Sequence, residues 1–287
     1  MMKLLLDCLP CLLKQTLNAA RKAGAAYELQ AQLVKSAAIM LADCRPDVSA
    51  PELCRDIHAM VRSACRVCDP YAAEKEAEIK MAQELLPALI GLCPSQQDPL
   101  AHAVHIAAAG NLIDAAVYDH ISAGMLAEEL KLPFGIDQTA ALREELENAS
   151  LVLMIGDNAG EAVFDTAILR LLRGKKLVYA VRSQPVLNDV TMADAQAAGV
   201  GQYAQIVSSG CSAPGCLIDE CTEEFRQLFY RADVVIAKGQ GNFEALSQAD
   251  RRVYLLLKAK CASIAGHLGV AAGSFVLTTS QSPAPES

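Results

Sequence analysis

Leu151-Val-Leu-Met-Ile-Gly-Asp-Asn-Ala-Gly-Glu161 is the stretch from which the fold can be inferred. It opens with an apolar run that ends abruptly at Asp157 and Asn158. A run of this length is typical of a strand that is buried on both faces of a parallel sheet. Ligands bind such sheets beyond the carboxyl ends of the strands, which is where Asp157 and Asn158 fall. Their carboxylate and amide oxygens are hard donors that suit Mg²⁺ or Mn²⁺.

Short apolar runs alternate with helical segments throughout the rest of the carboxyl-terminal half. This alternation predicts βαβ units, and hence an α/β fold with a mostly parallel sheet and helices on both faces. The predicted strands are 151–155, 176–181, 205–207, 233–237, 253–257 and 275–278. The predicted helices between them are 162–173, 191–198, 217–230, 243–247 and 262–268.

The amino-terminal half has a helical pattern, with apolar positions recurring at spacings of three and four residues. Predicted helices cover 10–22, 26–44, 51–65, 70–89, 98–109, 113–121 and 139–149. We therefore expect a helical region over 1–145 and an α/β domain over 146–279 that binds a metal and a phosphate. The polar Pro/Ser segment 280–287 is predicted to be a disordered tail.

Composition excludes several classes of protein. The chain has 287 residues, 53% of them hydrophobic, which is enough for a large core. A net charge of −8 and the absence of tryptophan argue against nucleic acid as a partner. No uncharged apolar stretch reaches about 18 residues, so no membrane partner is expected. Asp7 and Pro10 interrupt the apolar start, which argues against a signal peptide and predicts a cytoplasmic protein. The oligomeric state stays open.

Polar residues follow each of the first four predicted strands. Asp157 and Asn158 follow the first strand, and Asp189 follows the second. Because parallel strands end at one edge of a sheet, these three side chains are expected to meet and hold a divalent cation, Mg²⁺, Mn²⁺, Co²⁺ or Ni²⁺. Such a cation would polarise a phosphate ester and activate water.

Basic and backbone groups at the same edge suit the phosphate itself. Arg182 and Lys238 are predicted to neutralise phosphoryl oxygens. The backbone N–H groups around Ser209 and Gly210, and those over 239–242, are predicted to add further donors. The resulting chemistry is metal-assisted hydrolysis of a phosphate ester, with a small phosphorylated metabolite as the partner.

Ordinary structural roles compete with these assignments. Asp157 and Asn158 also fit a helix N-cap, and the pair at 188–189 taken alone favours a cap for the helix near Thr191. A catalytic role is expected for Asp157 and Asp189 through the cation. Glu161 or Asp194 is the candidate general base, and the residues alone do not choose between them.

The eleven cysteines contain two CxxC pairs. Their odd number and the helical chain favour reduced thiols over a disulfide framework. Cys8, Cys11, Cys65 and Cys68 together have the thiolates for a tetrahedral zinc site or a redox centre. The pairs are far apart in the sequence, so buried or free thiols are the competing interpretation.

The order of these motifs resembles the metal-dependent damage-control phosphatases, also known as domain of unknown function eighty-nine. The resemblance covers nearly the whole chain and is greatest to the prokaryotic branch with an amino-terminal CxxC. The second CxxC, at Cys65 and Cys68, is a departure from that family. The matching motifs are Cys8-x-x-Cys11, Asp69-Pro-Tyr71, Gly110-Asn-x-Ile-Asp114, Gly156-Asp-Asn-Ala-Gly-Glu161, Asn188-Asp-Val-Thr191 with Asp194-Ala195, Ala237-Lys-Gly-Gln-Gly-Asn-Phe-Glu244 and Leu256-Leu-Lys-Ala-Lys-Cys261.

The resemblance implies a helical region packed on an α/β domain and a divalent cation held at Asp157, Asn158 and Asp189. It implies hydrolysis of phosphate monoesters such as sugar phosphates or damaged phosphorylated metabolites. Gln240 and Asn242 match, with Lys238, a family loop beside the phosphate. Asn111 and Asp114 are expected to approach the substrate from the helical region.

Two other functions remain open from the residues. A strand ending in Gly156-Asp-Asn-Ala-Gly160 distantly resembles the loop that holds S-adenosylmethionine in methyltransferases, although it lacks the fuller glycine run. The cysteines are also compatible with a non-enzymatic metal- or ligand-binding protein.

Overall fold

The computed structural model describes residues 2–92, 98–110 and 122–280. The predicted helix at 113–121 and the tail beyond residue 280 lie outside these residues. No described helix has both the length and the apolarity needed to cross a membrane.

The described residues contain seven strands in one sheet, in the spatial order β1-β7-β6-β5-β2-β3-β4. Neighbouring strands are parallel except β6 and β7, so the prediction of a mostly parallel sheet is confirmed. The strands are β1 (Ile136–Asp137), β2 (Leu151–Ile155), β3 (Lys176–Val181), β4 (Gln205–Ser208), β5 (Val234–Lys238), β6 (Tyr254–Lys258) and β7 (Phe275–Thr279). Only β1, which is two residues long, was not predicted.

Twelve α-helices are present in the described part of the chain. They are α1 (Cys8–Lys22), α2 (Tyr27–Ala42), α3 (Ala50–Cys65), α4 (Ala72–Gly91), α5 (Pro99–Ala109), α6 (Ala123–Glu129), α7 (Thr139–Asn148), α8 (Ala159–Leu171), α9 (Met192–Ala197), α10 (Glu223–Arg231), α11 (Gly239–Leu246) and α12 (Ala262–Leu268). The sequence did not predict α6.

Two predicted helix starts were wrong, for local reasons. Helix α10 begins only at Glu223, because the Thr222 hydroxyl accepts the N–H of Phe225 and caps the helix there. Helix α11 begins at Gly239, so the segment 239–242, predicted as a loop, forms its first turn.

The sheet is covered by helices on both faces, as expected. Along β2, Val152 and Met154 face a core formed with α4, α5 and α8. Leu151, Leu153 and Ile155 face the opposite core, formed with α10, α11 and α12. Burying each such aliphatic side chain contributes about 1.5–3 kcal/mol, which is why the sequence of β2 is continuously apolar. Because α4 and α5 belong to the first core, the predicted helical region packs directly on the sheet; its boundary at residue 145 stays a prediction.

The strand order reverses beside β2. The chain runs from β2 to β3 and β4 on one side, then returns to β5 on the other side of β2. The connections after β2 and β5 therefore diverge at the carboxyl ends of these strands. Ligands of open α/β sheets bind at this switch point.

Candidate active site

Two strand-end loops are joined by backbone contacts at this switch point. The N–H of Val190 donates to the carbonyl of Asp157 over 2.7 Å, and Asn158 pairs with Asp189 as a short antiparallel bridge. The loops after β2 and β3 are thereby fixed to each other. This contact brings together the three side chains predicted to hold a cation.

Arg182 lies between the two carboxylates of this site. Its Nε donates to Asp189 Oδ2 over 2.8 Å, and its Nη2 lies 3.9 Å from Asp157 Oδ1. The same Nη2 donates to Asn242 Oδ1 over 3.3 Å. Its buried Nη1 has no hydrogen-bond partner among the described residues. Among the described residues, the site therefore contains one unsatisfied cationic donor, which a water molecule, an ion or a ligand could pair with.

The structure excludes the competing cap roles. Asn158 is the N-cap of α8 by position, but its side chain makes no capping hydrogen bond within the described chain. The cap of α9 is Thr191, whose N–H and hydroxyl both bond to Asp194 Oδ2, over 2.9 and 2.6 Å. Asn188 and Asp189 are therefore not needed as helix caps, and the oxygens of Asn158 and Asp189 suit a ligand.

Glu78 of α4 is a site neighbour that the sequence did not reveal. Its two carboxylate oxygens accept from Asn188 Nδ2 over 3.1 and 3.2 Å, and its side chain is buried. A Cβ added to Gly160 would lie 2.9 Å from the Cβ of Glu78, so α4 and α8 approach closely here. An acid inside a helix has no local sequence signal for such a distant partner.

Lys238 is held by contacts within the protein, and its predicted contact with a phosphate stays a prediction. Its Nζ donates to Asp165 over 2.6 Å, to Ala107 O over 2.9 Å and to Glu161 over 3.0 Å. These contacts use all three ammonium protons, and the side chain is fully buried. Direct neutralisation of a phosphate by Lys238 is thus not what the structure shows. The reason is parity: Lys238 shares the face of β5 with Val234 and Ile236, which lies under α5 and α8.

Asn242 also has a structural role in place of the predicted phosphate contact. Its Oδ1 accepts from Arg182 and from the N–H of Cys216, the latter over 2.8 Å. Its Nδ2 donates to Gly156 O over 3.1 Å and to Lys238 O over 2.6 Å. The amide is fully used, so it ties the ends of β2 and β5 together and leaves nothing for a phosphate.

Ser209 and Gly210 make hydrogen bonds within the protein, and the predicted phosphate nest at these two residues stays a prediction. The N–H of Ser209 donates to Val181 O over 2.9 Å, and that of Gly210 donates to Ser208 Oγ over 3.2 Å. The Ser209 hydroxyl is buried and also donates to Val181 O. The donors expected for the phosphate are therefore already paired within the protein.

Gln240 makes side-chain contacts with Glu244 and Cys261. Its Nε2 donates to Glu244 over 3.0 Å and lies 3.6 Å from Cys261 Sγ. The predicted contact between Gln240 and the phosphate is therefore not supported. Asn111 and Asp114 lie outside the described residues, so their predicted approach to the substrate stays a prediction.

Of the two candidate bases, Asp194 is engaged elsewhere. Besides capping α9, its Oδ2 accepts from Lys75 Nζ over 2.9 Å, and Lys75 also pairs with Asp69. Glu161, in the first turn of α8, is buried and adjoins Lys238. Glu161 is thus the candidate that the geometry favours.

Burial sets the protonation behaviour of the site. The pKa of Asp157 is raised to about 7, first by desolvation and then by the nearby charge of Asp189. Burial likewise raises the pKa of Glu161 to about 7, although Lys238 acts in the opposite direction. The exposed Lys260, just beyond β6, lowers both pKa values, so it lies close enough to act on the site electrostatically.

The charges in direct contact favour a bound cation. Among the described residues in direct ion pairs at the site, four buried carboxylates, those of Asp157, Glu161, Asp165 and Asp189, face two buried cations, Lys238 and Arg182. Lys75 and Lys260 act on these carboxylates from further away. The excess of two negative charges matches one divalent ion, and the donors not used by cations are oxygens. Within the described chain, no group of three or more His, Cys, Asp and Glu side chains is placed to hold a metal ion. The proposed centre has two such side chains, and its third donor is an amide.

Gly239 controls how closely α11 approaches Asp157. Its φ of +81° lies in the left-handed region, and an added Cβ would overlap the Asp157 carboxylate. Only glycine combines this backbone conformation with such a close approach. The start of α11 therefore packs directly against the carboxylate at the end of β2.

The four cysteines of the two CxxC pairs do not form the predicted four-thiolate site. They are free thiols, and no metal-binding group containing them is found in the described residues. Cys8 and Cys11 instead lie near Cys261 and Glu244, whose charges raise their pKa in addition to the larger effect of burial. A redox role of either pair stays a prediction.

Comparison with known proteins agrees with the sequence resemblance. The family model described as "Damage-control phosphatase ARMT1-like domain" matches residues 4–276. A damage-control phosphatase of Archaeoglobus fulgidus is 31% identical over 94% of this chain and 96% of its own length. An uncharacterized protein of Methanocaldococcus jannaschii is 31% identical over 94% of this chain and 93% of its own length.

A solved structure has the same fold. The crystal structure of a DUF89 family protein from Pyrococcus horikoshii superimposes with a TM-score of 0.90 at 29% identity, covering 98% of this chain and all of that one. A damage-control phosphatase of the same organism is 38% identical over 61% of this chain and 63% of its own length.

Proposed function

The chain belongs to the damage-control phosphatase ARMT1-like domain family, and we propose that it is a metal-dependent phosphatase that hydrolyses phosphate monoesters of small metabolites. Sugar phosphates and damaged phosphorylated metabolites are the expected substrate class. Family membership favours this function over the methyltransferase and over a non-enzymatic binding protein.

The observation that carries the proposal is the buried guanidinium of Arg182 between two carboxylates. One of its donors, Nη1, is unsatisfied, while Nε and Nη2 hold it in place. A planar guanidinium fixed in this way suits a phosphoryl oxygen geometrically as well as electrostatically. The neighbouring carboxylates would repel a bare phosphate, so phosphate binding requires a cation as well.

Asp157, Asn158 and Asp189 are the residues that would hold this cation. They supply two carboxylates and one amide, all hard oxygen donors at the switch point of the sheet. A bound divalent ion would supply charge neutralisation of the phosphate and a lowered pKa of water. Oxygen donors accept Mg²⁺, Mn²⁺, Co²⁺ and Ni²⁺, so all four are candidates.

The remaining side chains act on the proton of the attacking water and on the local electrostatic potential. Glu161 takes the proton of the attacking water as the P–O bond to that water forms and the ester P–O bond breaks. The departing alcohol takes its proton from solvent. Lys238 holds Glu161 and does not contact the phosphate, whereas Lys260 adds positive potential from the exposed side.

Release of inorganic phosphate tests the proposal. Chelator-treated protein is assayed on a panel of sugar phosphates with each of the four cations and without any. We expect turnover only with a cation, and loss of about 100-fold or more in Asp157→Asn. Glu223→Gln is the matched control, because it makes the same change from carboxylate to amide at a site where the side chain is 60% exposed.

Two results would count against the proposal. One is the absence of turnover of every ester by the cation-loaded wild type. The other is equal activity in Asp157→Asn and wild type. Saturable binding of S-adenosylmethionine without a cation, measured by calorimetry, would instead revive the methyltransferase.

A further inference from the structure

One ammonium group is shared by two carboxylates of the same helix. Glu161 and Asp165 lie one turn apart on α8, at i and i+4, and both accept from Lys238 Nζ. The contact to Asp165 is the shorter, 2.6 Å against 3.0 Å. The carbonyl of Ala107 accepts a hydrogen bond from the third N–H of Lys238, so the ammonium is fixed on three sides.

Asp165 is itself held in place by a hydrogen bond from Tyr179. Its Oδ2 accepts from the hydroxyl of Tyr179 over 2.7 Å, while its Oδ1 binds Lys238. The side chain has no exposed surface. A Cβ added to Gly156 would lie 2.5 Å from the Tyr179 hydroxyl oxygen. The Asp165–Tyr179 pair therefore lies directly under the end of β2, where Asp157 begins the site.

The need to neutralise the Lys238 ammonium does not by itself explain why Asp165 is buried beside it. The ammonium of Lys238 already matches the charge of Glu161, so a second buried carboxylate adds an unbalanced charge at a cost of several kcal/mol. Its effect is to draw Lys238 toward itself and to leave Glu161 only partly compensated. A carboxylate in that state is a better proton acceptor than one in an exclusive ion pair.

We propose that Asp165 is a positioning residue for phosphate ester hydrolysis: it anchors Lys238, and through Lys238 it fixes the orientation and the partial charge of the Glu161 carboxylate. This inference rests on the proposed function, in which Glu161 accepts the proton of the attacking water. The hydrogen bonds of the Asp165 carboxylate go to Lys238 and Tyr179, so we expect its effect to fall on the chemical step.

The test is steady-state kinetics of Asp165→Asn and Tyr179→Phe with one active sugar phosphate and Mn²⁺. Asp165→Asn keeps the shape and removes the charge, so we expect kcat to fall about tenfold or more. We expect KM and the calorimetric affinity for Mn²⁺ to change by less than about twofold. Tyr179→Phe keeps the charge and removes one bond, so a smaller fall of about threefold in kcat is expected.

A merely structural role would give a different pattern. It would lower the melting temperature and would reduce kcat, substrate affinity and Mn²⁺ affinity together. Wild-type kcat in Asp165→Asn overturns the proposal. If that variant does not fold, the kcat of Tyr179→Phe decides: an unchanged value overturns the proposal, and a fall at constant KM supports it.

The same measurements distinguish a wrong phosphatase function from a wrong positioning role of Asp165. If the wild type hydrolyses no ester with any cation, the proposed function is wrong. If the wild type is active and the two variants match it, only the positioning role is wrong.

Discussion

The guanidinium of Arg182 donates from Nε to Asp189 over 2.8 Å, and both groups are buried. A buried ion pair of this kind contributes little net stability, because desolvation of the two charges offsets their attraction. Its contribution is to fix the direction of the guanidinium, whose Nη1 is left for a ligand. In the proposed function, the pair therefore links the strand-end loops to binding of the phosphate.

Replacing Arg182 by lysine tests whether the fixed orientation of the guanidinium matters for phosphate binding. Lysine keeps the charge but cannot make the forked contacts to Asp189 and Asn242 while presenting a further donor. We expect KM for a phosphate ester and the inhibition constant of inorganic phosphate to rise together, by about tenfold. Unchanged inhibition by phosphate in Arg182→Lys would show that the guanidinium does not contact it.

Replacing Asp157 by asparagine is expected to separate stability from function. In the absence of a cation, this carboxylate is buried beside Asp189, which raises its pKa to about 7. Removing its charge should therefore stabilise the metal-free protein at pH 8 by about 1–3 kcal/mol while abolishing Mn²⁺ binding. Urea unfolding with chelator and calorimetry with Mn²⁺ measure the two effects. A less stable Asp157→Asn would contradict the charge account of the site.

His58 gives a pH dependence of stability that does not involve the cation site. Burial, with a smaller effect of Arg62, lowers its pKa from 6.5 to about 4. The unfolded chain therefore binds a proton below pH 6.5 that the folded protein does not. Stability from this group is present above pH 6.5 and is lost as the pH falls toward 4.

The expected size is about 2 kcal/mol between pH 7.5 and pH 5. Urea unfolding of the wild type and of His58→Gln at both pH values isolates this contribution, because other groups are common to both proteins. The free energy of unfolding should fall by that amount more in the wild type. Identical pH dependence in the two proteins would mean that His58 is protonated without cost in the fold.

Two glycine-to-alanine substitutions separate backbone strain from the close approach of α11. Gly24 and Gly239 have similar φ values, +71° and +81°, but only Gly239 adjoins another group, Asp157. Gly24→Ala should cost about 1 kcal/mol of stability through backbone strain alone, and Gly239→Ala should cost more, because the overlap with Asp157 adds to the same strain. Only Gly239→Ala should also lose phosphatase activity, because its Cβ displaces the Asp157 carboxylate. Equal activity in both variants would contradict this packing.

Much of the α/β half could be predicted because its signals are local. Buried parallel strands are continuous apolar runs, so β2 to β7 were recognised, whereas the two residues of β1 give no pattern. The meeting of Asp157, Asn158 and Asp189 followed from the common direction of the strands. The capping box of Thr191 and Asp194 is also readable from the sequence, and in the structure Asp194 caps α9 and pairs with Lys75.

The partners of each polar group were harder to predict, because they depend on packing between distant elements. Lys238 is predicted from the sequence to contact a phosphate. Alternate residues of a strand share one face, however, so its side chain lies on the same face of β5 as Val234 and Ile236, which a helix covers. The i, i+4 relation of Glu161 and Asp165 was likewise visible in the sequence and was missed. Glu78, which reaches the site from α4, had no sequence signal at all.

Anomalous diffraction from crystals grown with Mn²⁺ would locate the cation directly. The account predicts one strong anomalous peak within about 2.5 Å of oxygens of Asp157, Asn158 and Asp189. The same peak should be absent in crystals of Asp157→Asn. A cation bound instead at Cys8, Cys11 or Cys261, or no peak at the switch point of the sheet, would contradict the account.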